Sequence, residues 1–94
     1  MIKTFRSKAL KQLYEQGIES KVHASHREKV KDILALLDSA RTPDDLKLPG
    51  LRLDLHPLKS ARRGSWAMTV KQNWRVTFRF DGEDVFDVDY EDYH

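Results

Sequence analysis

The stretch Trp66-Ala67-Met68-Thr69-Val70-Lys71-Gln72-Asn73-Trp74-Arg75-Val76-Thr77-Phe78-Arg79-Phe80, continued by Asp81-Gly82-Glu83-Asp84-Val85-Phe86-Asp87-Val88-Asp89-Tyr90, decides the fold. Trp66, Met68 and Val70 share one side of an extended chain. Trp74, Val76, Phe78 and Phe80 do the same, and then Phe86, Val88 and Tyr90. A period of two marks strands with one buried face, because successive side chains point to opposite faces of a sheet. The pattern predicts three strands of an antiparallel meander, with an earlier strand near Leu51–Leu58. Keeping the apolar sides together also predicts the register. A two-residue turn at Asp81-Gly82 mixes the faces. Pairing Phe80 with Asp84 sets Phe78 against Phe86, Val76 against Val88 and Trp74 against Tyr90, and requires an odd loop or a bulge at Asp81-Gly82-Glu83. By the same reasoning Lys71-Gln72-Asn73 is an odd loop, with Asn73 suited to a left-handed position. The opposite face then carries Arg75, Thr77, Arg79, Asp87 and Asp89, with Arg75 facing Asp89.

Outward from the sheet, the first half of the chain reads helical. Ile2–Phe5 is a candidate edge strand. Ser7 is a good N-cap, Leu10, Leu13 and Tyr14 recur at helical spacing, and Gly17 ends the segment. Ser25-His26-Arg27-Glu28 fits a capping box for a second helix whose apolar face is Val30, Ile33, Leu34 and Leu37. Thr42-Pro43-Asp44-Asp45 has the cap, proline and acids of a short helical turn, and Leu48-Pro49-Gly50 closes the helical half. Helices on one face of a small antiparallel sheet make an α+β two-layer domain, and residues 1–94 are expected to form one domain.

Composition narrows the function classes. No apolar run approaches the roughly 20 residues of a membrane span, and the N-terminal residues lack a secretory apolar stretch. The chain has no cysteine, so it has no disulfide framework, thiol nucleophile or cysteine zinc site. The four His show no metal-ligand spacing, and neither a metal nor another cofactor is expected. A cytoplasmic location is compatible with this. The formal charge of +2 conceals a division. Residues 1–80 carry all 17 Lys and Arg against 8 Asp and Glu, a net of +9, whereas residues 81–94 carry the other 7 acids and no base, a net of −7. A basic body suits a polyanion, because Lys and Arg displace counterions from phosphates.

Three elements carry candidate chemistry. Arg75, on the polar face, either forms an exposed cross-strand pair with Asp89 or clamps a phosphate with its planar guanidinium. Leu55-His56-Pro57-Leu58-Lys59-Ser60-Ala61-Arg62-Arg63-Gly64 sets a His that titrates near neutrality beside a Lys able to offset charge on a phosphorane. At the C-terminus, Asp92, Tyr93 and His94 follow the last predicted strand by a residue or two. There an aromatic ring can stack on an unpaired base, and Asp92 and His94 can act as acid and base. His23 and His26 read as surface residues of a basic helix. Together these parts suggest a metal-free ribonuclease. His56, Asp92 and His94 are the proton-transfer candidates, and Lys59 and Arg75 supply positive charge.

The chain resembles HigB toxins of the RelE superfamily of type II toxin–antitoxin systems. The resemblance is carried by Met1-Ile2-Lys3-Thr4-Phe5, the Leu-x-x-Leu-Lys-x-x-Arg-x-Gly-x-Trp pattern from Leu55 to Trp66, Trp74-Arg75-Val76-Thr77-Phe78 and the closing Asp92-Tyr93-His94. It implies a RelE-like, microbial-RNase-like fold. It also implies mRNA cleavage in the A site of the translating 30S subunit through the 2′-OH, and neutralisation by a HigA-like helix-turn-helix antitoxin. Operator DNA would be met only through that antitoxin. By the same resemblance His56, Lys59, Arg75, Asp92, Tyr93 and His94 take the functional roles, and Arg62, Arg63, Lys71 and Arg79 bind RNA. Ser60 and Lys71 depart from the family's frequent Gly and Asn, both at loop positions. Two other readings compete: a gyrase-poisoning toxin of the ParE type, which shares the fold without nuclease chemistry, and a non-catalytic ribosome- or RNA-binding module, for which the basic body would suffice.

Overall fold

The computed structural model describes residues 1–47, 53–59 and 62–92. Helix α1 (Lys8–Gln16) starts where the Ser7 hydroxyl accepts the Leu10 N–H at 3.2 Å. It stops at Gly17, whose φ of +70° lets its N–H and that of Ile18 bond back to Leu13 and Gln12. Helix α2 (Arg27–Ser39) buries Val30, Ile33, Leu34 and Leu37, as the spacing predicts. Its entry differs from the expected capping box. Residues Ala24–His26 form a 3₁₀ turn, and no side chain caps α2. A Ser cap needs extended backbone at the cap residue, and here the chain is already coiled through Ser25, which swings the His26 ring onto the sheet. A second 3₁₀ turn, Pro43–Leu46, is held by the Asp45 carboxylate accepting the N–H groups of Arg41 and Thr42. Leu48-Pro49-Gly50 lies outside the described residues.

The sheet contains β1 (His56–Pro57), β2 (Ser65–Lys71), β3 (Trp74–Asp81) and β4 (Asp84–Asp92), in that order and antiparallel throughout. The earliest strand is shorter than expected. Regular pairing is confined to two residues, although Leu53 and Leu58 each add one backbone bond to β2. Ile2–Phe5 lies parallel to the outer side of β4, with Lys3 N–H on Val85 O and Arg6 N–H on Val88 O, both at 2.8 Å. That segment covers a sheet edge that would otherwise present unpaired donors and acceptors. The helices cover the other side of the meander, and Phe78, Met68, Val76, Leu10, Ile33 and Leu37 form the centre of the core.

The β2–β3 register is the predicted one over most of its length: Trp66 faces Phe78 and Met68 faces Val76. Near the turn it slips, so that Lys71 pairs with Trp74, and Gln72 rather than Asn73 takes positive φ (+53°). The β3–β4 register differs from the expectation. Gly82-Glu83 forms a tight two-residue connection with Asp81 opposite Asp84 and Phe80 opposite Val85. The irregularity sits further along, between Thr77 and Arg79 on β3, where Asp87 of β4 adopts φ +57°. One extra residue in β4 flips the side-chain alternation at that point. Val85 therefore joins Val88 in the core, and Phe86 turns to the polar face, with the Arg79 guanidinium 4.9 Å from its ring centre. Beyond the bulge Val76 faces Tyr90, Arg75 faces Glu91, and Thr77 faces Asp89. The predicted Arg75–Asp89 pairing is thus replaced by Arg75–Glu91.

Candidate active site

His56, Ala67 and Thr77 form one row across β1, β2 and β3 on the polar face. The small side chains in the middle of that row leave a depression. A cleft of about 460 Å³ lies there, lined by His56, Pro57, Leu58, Lys59, Arg62 and Arg75. The sequence-predicted His56, Lys59 and Arg75 thus come together on one wall system, although 19 residues separate His56 from Arg75.

The His56 ring is oriented at both nitrogens. Nδ1 lies 2.7 Å from the Asp54 backbone carbonyl. A carbonyl can only accept, so Nδ1 carries the proton. Nε2 lies 3.5 Å from Arg75 Nη1, itself a donor, so the lone pair of a neutral ring faces Arg75 and the cleft. Lys59 is exposed at the cleft margin.

Arg62 crosses the cleft to Glu91. Its two terminal nitrogens donate to both carboxylate oxygens, at 3.0 and 2.7 Å, and the Thr77 hydroxyl donates to the second oxygen as well. Thr77, expected on an open face, is only 2% exposed. The Arg62 hydrogen bonds hold the Glu91 carboxyl below the usual carboxylate range against the opposing effect of burial, with Thr77 and the charges of Arg62 and Arg75 adding to them. Arg62 is raised correspondingly, first by Glu91. Glu91 and Thr77 were not among the sequence candidates. A correct β3–β4 register would have pointed to Glu91, because it is the residue facing Arg75.

The remaining predicted residues are distributed differently. Arg79 donates to Asp87 at 2.7 Å and sits 3.9 Å from Asp81, so acids of the C-terminal segment neutralise it. Arg63 and Lys71 are exposed. Asp89 accepts the N–H of Tyr90. Asp92 ends β4 opposite Trp74, on the alternation of Val76 and Tyr90, and does not line the cleft. Tyr93 and His94 lie outside the described residues.

The expectation that His23 and His26 are both surface residues is corrected for His26. His23 is exposed, but His26 is 5% exposed and its Nδ1 lies 2.5 Å from the Tyr90 hydroxyl. Its ring centre is 5.7 Å from that of Trp74. Burial, reinforced by His23 and Lys71, pushes its pKa below the ordinary imidazole value. His26 therefore belongs to an aromatic group joining the start of α2 to the sheet. Among the described residues no group of three or more His, Asp or Glu converges as a metal-ligand set, and no helix is long and apolar enough to cross a membrane.

Comparison with known proteins gives the family. Residues 3–94 match the family model described as the RelE-like toxin of type II toxin–antitoxin system HigB. The chain is 43% identical over 94 residues to a protein of Proteus vulgaris named Endoribonuclease HigB, with the whole of both chains aligned. Helices packed on an antiparallel sheet are the fold that the resemblance implies, and the chain belongs to the HigB-like family of RelE-like toxins of type II toxin–antitoxin systems.

Proposed function

We propose that this toxin is an endoribonuclease that cuts mRNA in the A site of the translating 30S subunit, in the cytoplasm, and so arrests translation. The observation that carries the reading is the His56 ring, held with its Nε2 lone pair toward Arg75 in a cleft that Lys59 also lines. RNA brings its own nucleophile. The His56 Nε2 accepts the 2′-OH proton and the 2′-oxygen bonds to phosphorus. The bond from phosphorus to the 5′-oxygen breaks, and an acid protonates that oxygen, leaving a 2′,3′-cyclic phosphate and a 5′-hydroxyl. Lys59 and Arg75 stabilise the added charge on the phosphoryl oxygens. In this reading His94 supplies the acid and Tyr93 stacks on a base, and Asp92, which lies off the cleft, takes no direct part in the proton transfer.

Arg62 and Arg79 are held by the chain's own carboxylates. The phosphate grip of the cleft is limited accordingly, and the ribosome positions the substrate, with Arg63 and Lys71 on its rRNA or mRNA. A HigA-like helix-turn-helix antitoxin neutralises the toxin and alone contacts operator DNA. The test is mapping of mRNA 5′ ends after adding the purified protein to mRNA on translating ribosomes and to the same mRNA free of ribosomes. Cleavage is expected only with mRNA in an occupied translation complex, and it is expected to vanish in His56→Ala with an unchanged circular dichroism spectrum. Wild-type cleavage by His56→Ala would sink the assignment, and equal cutting of naked RNA would sink the ribosome requirement.

A further inference from the structure

We infer that Asp54 is a positioning residue: its left-handed backbone locks His56 in the Nδ1–H tautomer and so turns the Nε2 lone pair into the cleft. The inference rests on the nuclease reading for its consequence but not for its observation. Among the described residues, three that are not glycine have positive φ: Asp54, Gln72 and Asp87. Gln72 makes the β2–β3 turn and Asp87 makes the β4 bulge. Asp54, at φ +48°, does neither. It lies in irregular chain two residues before His56.

The chain is tied to β2 on both sides of this kink. Before it, buried Leu53 accepts the Thr69 N–H at 2.8 Å. After it, His56 pairs with Ala67. Between those ties the left-handed residue turns its carbonyl to the His56 ring, where it meets Nδ1 at 2.7 Å. Asp is among the few residues other than Gly that adopt this conformation readily. A neutral imidazole has one N–H and one bare nitrogen, and the partner of one fixes the role of the other. An unconstrained histidine prefers the proton on Nε2, the nitrogen that must here be bare to take a proton from a substrate hydroxyl. The kink at Asp54 reverses that preference before substrate arrives, and the Arg75 guanidinium near Nε2 works in the same direction because two donors cannot share a hydrogen bond.

The experiment is nitrogen-15 NMR of the histidine ring of the full-length protein above its titration range, together with the pH profile of kcat for RNA cleavage. The wild type is expected to show a proton on Nδ1 and a bare Nε2. Asp54→Gly accepts positive φ, and Asp54→Asn tolerates it without the charge, so both should keep that ring pattern. Asp54→Val opposes positive φ. It is expected to move His56 toward the Nε2–H form, to lower kcat by about tenfold or more, and to change the acid limb of the pH profile with little change in KM. Should Asp54→Val fail to fold, Asp54→Ala opposes the conformation more weakly and is expected to give a mixture of the two ring forms. A folded Asp54→Val or Asp54→Ala that keeps the pure Nδ1–H pattern overturns the inference, as does an Nε2–H ring in the wild type. Loss of the pattern in Asp54→Asn would transfer the role from the backbone to the carboxylate and overturn it too. An intact Nδ1–H ring together with undiminished cleavage by His56→Ala would leave the lock standing and refute the nuclease reading instead.

Discussion

Replacing Glu91 by Gln keeps the shape of the side chain that anchors Arg62 but removes its charge. In the native protein both Glu91 oxygens accept from Arg62, and one also accepts from Thr77, a residue 2% exposed. The amide offers one oxygen, so one Arg62 nitrogen faces an NH₂ group instead of an acceptor. Hydrogen bonds to charged groups contribute about 1.5–3 kcal/mol, whereas exposed pairs contribute about 0.2–1. The side chains here are 39% exposed at Arg62 and 26% at Glu91. Solvent screening therefore places the expected loss between those ranges, at about 1–2 kcal/mol, or a fall in Tm of roughly 5–10 °C for a domain of this size. The sign with pH follows from the lowered Glu91 pKa. A carboxyl lowered on folding contributes stability that is full above its unfolded pKa of about 4.3 and is lost as pH falls through the lowered folded value. Urea unfolding followed by circular dichroism at pH 7 and near pH 3 should thus show Glu91→Gln less stable than wild type at the first, with a smaller deficit at the second. Equal stability at pH 7, or a deficit that does not shrink in acid, would refute the reasoning.

Phe78→Ala empties the centre of the core, where the ring is 1% exposed. A loss of about 3–5 kcal/mol is expected, and a urea midpoint near wild type would contradict the packing. His26→Gln should flatten the pH dependence of stability. A buried imidazole with lowered pKa costs stability as pH falls below about 6.5 and stops doing so below its folded value, so the wild type should lose stability across that window and the variant less, as thermal melts at pH 7.5 and 5 will show. The Tyr14 hydroxyl donates to Asp38 at 2.6 Å, and chiefly for that reason its pKa is raised to about 12. Ultraviolet titration should reveal one phenol ionising near pH 12 that disappears in Tyr14→Phe, and an unchanged late phase in the variant would reject the assignment.

Much of the fold was legible because it is written in short periods. Leu10 and Leu13, or Val30, Ile33, Leu34 and Leu37, declare a helix face within a dozen residues. The Ser7 cap and the Gly17 stop need only their immediate neighbours. The β2–β3 register emerged from matching Trp66 with Phe78 and Met68 with Val76. The β3–β4 register did not, because alternation alone cannot tell which residue will take a positive φ. The slip was assigned to the loop at Asp81-Gly82-Glu83, and Asp87 in fact carries it. That displacement hid Glu91, sent Phe86 to the wrong face and cast Asp89 as the partner of Arg75. His26 was misjudged for a related reason: a basic helix start reads as surface until a 3₁₀ turn rotates one ring inward.

From the chain of letters alone came the two layers, the division of charge into a basic body and an acidic last segment, the apolar faces, and the set His56, Lys59 and Arg75. These follow from side-chain type and local spacing, which a sequence states directly. The tertiary structure alone decided that Arg62 is held by Glu91, that the Asp54 carbonyl bonds the His56 ring, and that Asp92 lies off the cleft. Each of these depends on how separate stretches of chain are aligned to within one residue, and in a sheet a shift of one residue sends a side chain to the opposite face.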